Sequence, residues 1–427
     1  MVIIKDIAPK MFNREGGNGF NRTVYHSFIL FIIVSSLTFD SLAGSVRDFY
    51  PQNGIMVSVE ELDNIRMLAE SGVEPYHSNL NEFLKWFTYA LEDAQSWAEI
   101  SGEVVIANGS SGQPTQLSAD GARLVYGAAL AWHLTGQELY AEMARRMILS
   151  LTNSHGFRDF NRKSFHWGAQ GILNLARGGT PYIYAADLLN NWSGWSPLDK
   201  HSFQLWLRDE MYPKVAWASR VRKNNWGVAG SFSASVIAFY LMDQPDWMLT
   251  EFAPDTIRLR PVEAFEVHNT IQLGRQNTSE EWQMDAKTLI WGIMPNGAIP
   301  EEIRRGKDPV DGDFLPSRGS GTHYTMTYIE HLTAHAEFLR RRGDNSLFDY
   351  MANDGSGSLL KAFLFVVANQ KGAHCFTQDR RNALYLAYGY YKHAALLQSI
   401  LDCGPANIYG QRLALFGRLT HPLKIEY

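Results

Sequence analysis

The amino-acid sequence predicts an all-α protein, an (α/α) toroid (an incomplete α/α barrel) of antiparallel helix pairs. Three observations point there. A helix rich in small residues, a tight turn and an amphipathic helix recur in that order along the chain. Alternating runs of strand type are few, and residues 258–263 are too short to change the class. No low-complexity segment or linker divides residues 44–427, so a single domain is expected.

Taken in order, Ser58-Val-Glu-Glu61 reads as a capping box that opens a first helix, apolar at Leu62, Ile65 and Leu68. A second helix, about 79–98, carries Leu84, Trp86, Phe87, Tyr89 and Trp97. The polar stretch 108–115 follows, of the kind found at a barrel rim. Residues 118–136 form a small-residue helix stopped by Gly136, and its antiparallel partner begins at Glu138. Similar pairs are expected at 181–190 with 201–216, at 226–241 with 245–252, and at 325–342 with 358–369. A last pair lies around 380–403.

The N-terminal residues 28–37 are an apolar run preceded by Arg22 and followed by Ser41-Leu-Ala43, which predicts a signal peptide over 1–43. The run is short for a membrane span. An exported, secreted or periplasmic chain is therefore expected. Removing four basic and three acidic residues takes the formal charge from −5 to about −6. No basic run or basic-aromatic motif suggests nucleic acid, and an acidic protein still binds a polyanion when its cations gather in a cleft. The 12 Trp and 19 Tyr suit sugar stacking as well as core packing. Cys375 and Cys403 either pair in an oxidising compartment or stay reduced.

Two blocks carry chemistry. Residues 294–342 contain Pro295-Asn-Gly-Ala-Ile-Pro-Glu-Glu302, then Arg318 in a Gly-rich loop, then His323-Tyr324 at a helix entrance. An Arg fork beside a helix N-terminus suits an acidic group. The second block is Asn224-Asn225-Trp226-Gly227 followed by a helix of Ala, Gly and Ser, which sets carboxamides at the mouth of a tightly packed toroid. Asn can donate to a carboxylate without adding charge; equally, it is a common helix cap.

Together with Asp246 to Phe252, these blocks resemble the alginate-lyase superfamily of α/α-toroid polysaccharide lyases, the mannuronate- and glucuronan-cleaving enzymes. The resemblance covers about residues 220–340. It implies β-elimination on a 4-linked uronic acid polymer, without a cofactor or metal. Asn, His and Arg would neutralise the C6 carboxylate, and a Tyr would act as base and acid. Carried over by position, Asn225 matches the carboxylate-binding Asn, Arg318 the Arg and Tyr324 the catalytic Tyr, with Tyr328 one turn further on as the reserve.

Where the family has a His after the paired Asn, this chain has Trp226, and His268 is the expected substitute. Such a loss favours a syn mechanism on mannuronate- or glucuronate-type units. Substrate binding is expected to draw also on Asn224, Trp226, His323, Tyr328 and Arg275, and on His166, Trp167 and Gln170 before an apolar helix. His331 and His335 have a zinc-compatible spacing but lack the His-Glu-x-x-His pattern, and read better as a packed or solvated face. The competing readings are an α/α-barrel glycoside hydrolase, which needs two flanking carboxylates from a set including Asp187, Glu301 and Glu302, and a non-catalytic polysaccharide-binding protein.

Overall fold

The computed structural model describes residues 54–98, 119–153, 170–244, 246–251, 257–274, 292–303, 320–351, 358–369, 380–410 and 412–423. All lie in the unit Pro51–Tyr427. Its inner helices are α3 (Ala119–Thr135), α5 (Gln170–Leu188), α8 (Asn225–Tyr240), α11 (Ser320–Arg340) and α14 (Asn382–Tyr391). Each packs on the next in that order. The short α16 (Gly417–Thr420) joins α14 to α1 (Val59–Glu70) and α2 (Tyr76–Ala98), and these return to α3, closing the ring. Outside it lie α4 (Glu138–Asn153), α6 (Pro197–Trp206), α7 (Tyr212–Val221), α9 (Pro261–Gly274), α13 (Leu359–Asn369) and α15 (Ala394–Cys403). The small helices α10 (Pro300–Ile303) and α12 (Ser346–Asp349) flank α11. This is the all-α toroid of helix pairs that the repeated pattern predicts.

Local chemistry explains the elements. The capping box forms as read: Ser58 Oγ accepts from the Glu61 amide at 3.1 Å, and the Ser58 amide donates to Glu61 Oε2 at 2.7 Å. Helices α8 and α11 are buried on nearly every side, as expected of helices that line a core all round. Small residues let α8 approach α7. A Cβ on Gly230 would stand 2.8 Å from both the Val215 carbonyl oxygen and the Ser219 amide nitrogen. The sequence-expected helix 245–252 does not form. Leu249–Thr250 is instead a strand, paired antiparallel with Arg258–Leu259. Pro245 and Pro254 bracket a window too short for a stable helix, and α9 supplies the outer partner of α8. The outer helix expected over 201–216 is broken by a π-helical turn, Leu207–Met211, just before Pro213, whose ring nitrogen cannot donate. Helix α5 begins well before the expected residue 181, with Pro181 in its interior. Cys403, one of two cysteines in the chain, is disulfide-bonded. Among the described residues no helix is long and apolar enough to cross a membrane. The expected signal peptide, 1–43, lies outside them.

The far end of α11 is tied down by charge. Glu337, 1% exposed, accepts from Arg340 Nε at 2.7 Å and pairs with Arg341 Nε at 3.0 Å and His421 Nε2 at 3.1 Å. Burial alone would raise its pKa, but His421, Arg340 and Arg341 outweigh that and hold it well below the usual value of 4.5. A depressed carboxyl contributes stability above its unfolded value, and that contribution is lost as pH falls through the acid range. Glu337→Gln is expected to cost about 3 kcal/mol in urea unfolding at neutral pH, by leaving buried cations uncompensated. Near pH 3 the gap between the variant and the parent should shrink.

Candidate active site

The site begins at the start of α8. Asn224 caps the helix, its Oδ1 accepting from the Trp226 amide at 3.1 Å. Asn225 is fully buried and engaged on every side. Its backbone N–H and its Nδ2 both donate to the buried Glu302 carboxylate, the latter at 2.8 Å. A carboxylate is well placed there, facing the positive end of the helix dipole. Asn225 Oδ1 accepts from Arg177 Nη2 at 3.0 Å, and its carbonyl accepts from His331 Nδ1 at 3.1 Å.

Helix α11 brings the second half. Tyr324, Tyr328, His331 and His335 share one face at helical spacing. Tyr324 is half-buried near the helix start, whereas Tyr328 is 1% exposed and His331 is fully buried. His331 Nε2 accepts from Arg177 Nε at 3.2 Å. Burial first, and then the Arg177 and Arg412 charges, push this imidazole well below its usual 6.5, so it is neutral. With Nδ1 donating and Nε2 accepting, His331 locks Arg177 and the first residue of α8 in place and has no lone pair left for a base. Arg177, half-buried on α5, is thereby the joint between three inner helices.

Cations gather around His323, Thr327 and Glu330 on α11. Arg380 Nη1 donates to the His323 carbonyl at 3.1 Å, and its Nη2 lies 3.0 Å from His323 Nδ1. Arg412 Nη1 donates to Thr327 Oγ1 at 2.8 Å from a left-handed backbone (φ 62°). Partial burial and then Arg380, Arg412 and Arg177 push His323 down to about 4. The same three arginines surround Glu330, which is fully buried, with Arg380 Nε 4.0 Å away. Burial raises this carboxyl to about 7 against their pull. The three guanidiniums gather around the Glu330 carboxyl, and the Glu302 carboxylate also acts on Arg177.

Residues 72–256 match the family model described as alginate lyase. The match takes in 185 of the 427 residues, and over that stretch the chain is similar to the alginate-lyase family. The matched span holds Arg177 and the Asn224–Trp226 turn, half of the site just described. No curated protein matches the chain. Among solved structures, the chain is similar to an alginate lyase from Bacteroides ovatus, with 14% identity, TM-score 0.56, and 87% of this chain and 100% of that one covered. It is also similar to alginate lyase A1-III from Sphingomonas species A1, with 14% identity, TM-score 0.51 and coverages of 76% and 84%. A variant of A1-III with a histidine replaced by alanine, complexed with a tetrasaccharide, aligns with TM-score 0.53, 14% identity and coverages of 76% and 85%. At this identity the structural likeness speaks for the fold.

Of the residues expected from sequence, the fold brings Asn224, Asn225 and Trp226 together at the start of α8, and His323, Tyr324 and Tyr328 on α11. Trp226 is half-exposed and stacks on the Arg222 guanidinium, 5.1 Å from the ring centroid. Tyr328 lies in the core, which leaves Tyr324 as the accessible phenol. His268, expected to replace the missing imidazole, is placed elsewhere. It is fully buried on α9, with Nδ1 2.7 Å from Ser219 Oγ and Nε2 3.1 Å from the Tyr212 hydroxyl. Both nitrogens serve helix packing, and His331 is the imidazole beside Asn225. Arg318, Arg275, His166 and Trp167 lie outside the described residues, as does the side chain of Gln170, which opens α5. Arg177, Glu302, Glu330, His331, Arg380 and Arg412 join the site only in the fold. The available signals were charges set into apolar or small-residue helices, Arg177 after Leu-Ala and Glu330-His331 inside an otherwise uncharged run.

Proposed function

We propose that this lyase cleaves a 4-linked uronic acid polymer, of the alginate or glucuronan type, by syn β-elimination with Tyr324 as the acid/base. The observation that carries this reading is the Arg177 bridge, which fixes Asn225 and His331 together on the face of α11 that carries Tyr324. Asn225 Nδ2, Arg177 and Arg318 take the C6 carboxylate and neutralise the charge that grows on it as the C5–H bond breaks. Preorganised donors of this kind supply most of the stabilisation of such an enolate-like charge. The Tyr324 oxygen removes the C5 proton, the C4–O4 bond breaks as C4=C5 forms, and the same oxygen returns the proton to O4. His331 is positioned as a spacer and not as a base, because Arg177 occupies its Nε2. This favours units whose C5 proton and leaving O4 lie on one side, mannuronate or glucuronate, over guluronate.

The tetrasaccharide complexes of variants of A1-III in which a histidine or a tyrosine was replaced support an oligosaccharide-binding cleft on this fold. Neighbouring sugars have Trp226, Asn224 and His323 at the mouth, with Arg275, His166, Trp167 and Gln170 as further candidates. Residues 1–43 serve export and 44–427 form the lyase domain; the bonded Cys403 fits an oxidising compartment. Arg318→Ala tests the carboxylate assignment. It is expected to raise KM and lower kcat together, by about 10²-fold or more in kcat/KM. Unchanged constants would remove Arg318 from the site.

A further inference from the structure

We infer that the lyase carries a second saccharide site at the opposite end of α11, which takes an acidic sugar unit of the same polymer. The inference rests on the uronate-lyase reading above. A cavity of about 310 Å³ opens between α1, α14 and the segment after α16. That volume suits a small ligand. Its wall includes His421, which bonds Glu337, and Glu61, which pairs with Arg341. Glu337 is 13 residues beyond Tyr324, about 20 Å along the helix at 1.5 Å per residue. The cavity is therefore separate from the Tyr324 cleft.

Its lining has the composition of a sugar site. Tyr76 and Tyr385, 6% and 5% exposed, and the half-exposed Tyr388 give ring faces. Among the described residues, the Asn64 amide and the Tyr76 and Tyr388 hydroxyls make no hydrogen bond to protein, so their polar atoms are uncommitted. Glu61 and Glu337 are already answered by Arg341, Arg340 and His421. Lys392 is left as the unanswered charge. It stands in a left-handed conformation (φ 50°) and holds its ammonium 5.1 Å from the Tyr388 ring centroid. An unpaired cation over an aromatic face selects an anionic sugar over a neutral one. The floor is open at Gly389, where an added Cβ would meet only His421 Cδ2, at 3.9 Å.

That gap gives a clean test. Gly389→Leu fills the cavity from an exposed helix position, where Leu is also the better helix former. In full-length Tyr324→Phe protein, which keeps the cleft but not turnover, calorimetric titration with a polymannuronate tetrasaccharide is expected to show two sites per chain. Adding Gly389→Leu should remove one site and leave the other unchanged. Adding Lys392→Ala should weaken that same site at least tenfold, and a neutral cellotetraose should not occupy it. In the Tyr324-containing enzyme, Gly389→Leu should raise KM on long polymer without altering kcat on short oligosaccharides. A single site that survives Gly389→Leu, or no binding that depends on residue 389, overturns the inference even if the enzyme eliminates uronate normally. Failure to eliminate any uronate, with a site still lost on Gly389→Leu, would instead overturn the lyase mechanism and leave this site standing.

Discussion

Replacing Tyr324 by Phe is expected to lower kcat by about 10²–10⁴-fold, the range for loss of a positioned acid/base, while substrate affinity stays within a few-fold. The argument is one of access and availability. Tyr324 is half-buried at the start of α11, whereas Tyr328 on the same face is 1% exposed. His331 shares that face but has its Nδ1 on the Asn225 carbonyl and its Nε2 on Arg177. Among the described residues of this helix face, Tyr324 is the phenol that solvent reaches. The phenyl ring keeps the packing of the helix start, so stability should be nearly unchanged. Steady-state kinetics with direct binding measures both quantities. A near-normal rate for Tyr324→Phe, or equal loss from Tyr328→Phe alone, would move the acid/base elsewhere.

Arg177→Lys is expected to lower kcat by about 10²–10³-fold, the usual consequence of losing one preorganised donor to a developing oxyanion. Arg177 reaches Asn225 Oδ1 through Nη2 at 3.0 Å and His331 Nε2 through Nε at 3.2 Å. A guanidinium holds two such donors at fixed spacing, and an ammonium is a single point charge on a flexible stem. Lysine therefore keeps the positive charge and loses the bridge. The variant separates geometry from electrostatics. Stopped elimination with retained attraction to the polyanion is expected, read as a large fall in kcat with a small change in KM. If Arg177→Lys retained full kcat, the bridge would be packing only.

The toroid was legible because its signal is repeated. Small-residue inner helices such as 118–136 and 226–241, with amphipathic partners, state one period several times, and the structure returns them as α3 and α8 with small shifts at the ends. Segment 245–252 was misread as a helix because its apolar residues permit one, while the bracketing prolines decide against it. The site was half legible. Asn225 and Tyr324 stand in recognisable local patterns, an Asn pair before a small-residue helix and a His-Tyr pair at a helix entrance. Arg177, His331 and Glu302 belong to no local pattern. They meet only when α5, α8, α10 and α11 pack, and a contact across 77 or 154 residues leaves no trace in spacing. His268 shows the converse. A buried His on the neighbouring helix α9 looked available in sequence, and Ser219 and Tyr212 claim it in the fold.

The most direct measurement is ultraviolet absorbance of the conjugated C4=C5 uronate, followed while purified full-length protein acts on polymannuronate, polyguluronate and glucuronan in parallel. The expected result is a steady rise on polymannuronate or glucuronan, little on polyguluronate, and none with the Tyr324→Phe variant. New reducing ends without that absorbance would mean hydrolysis, and would contradict elimination at this site.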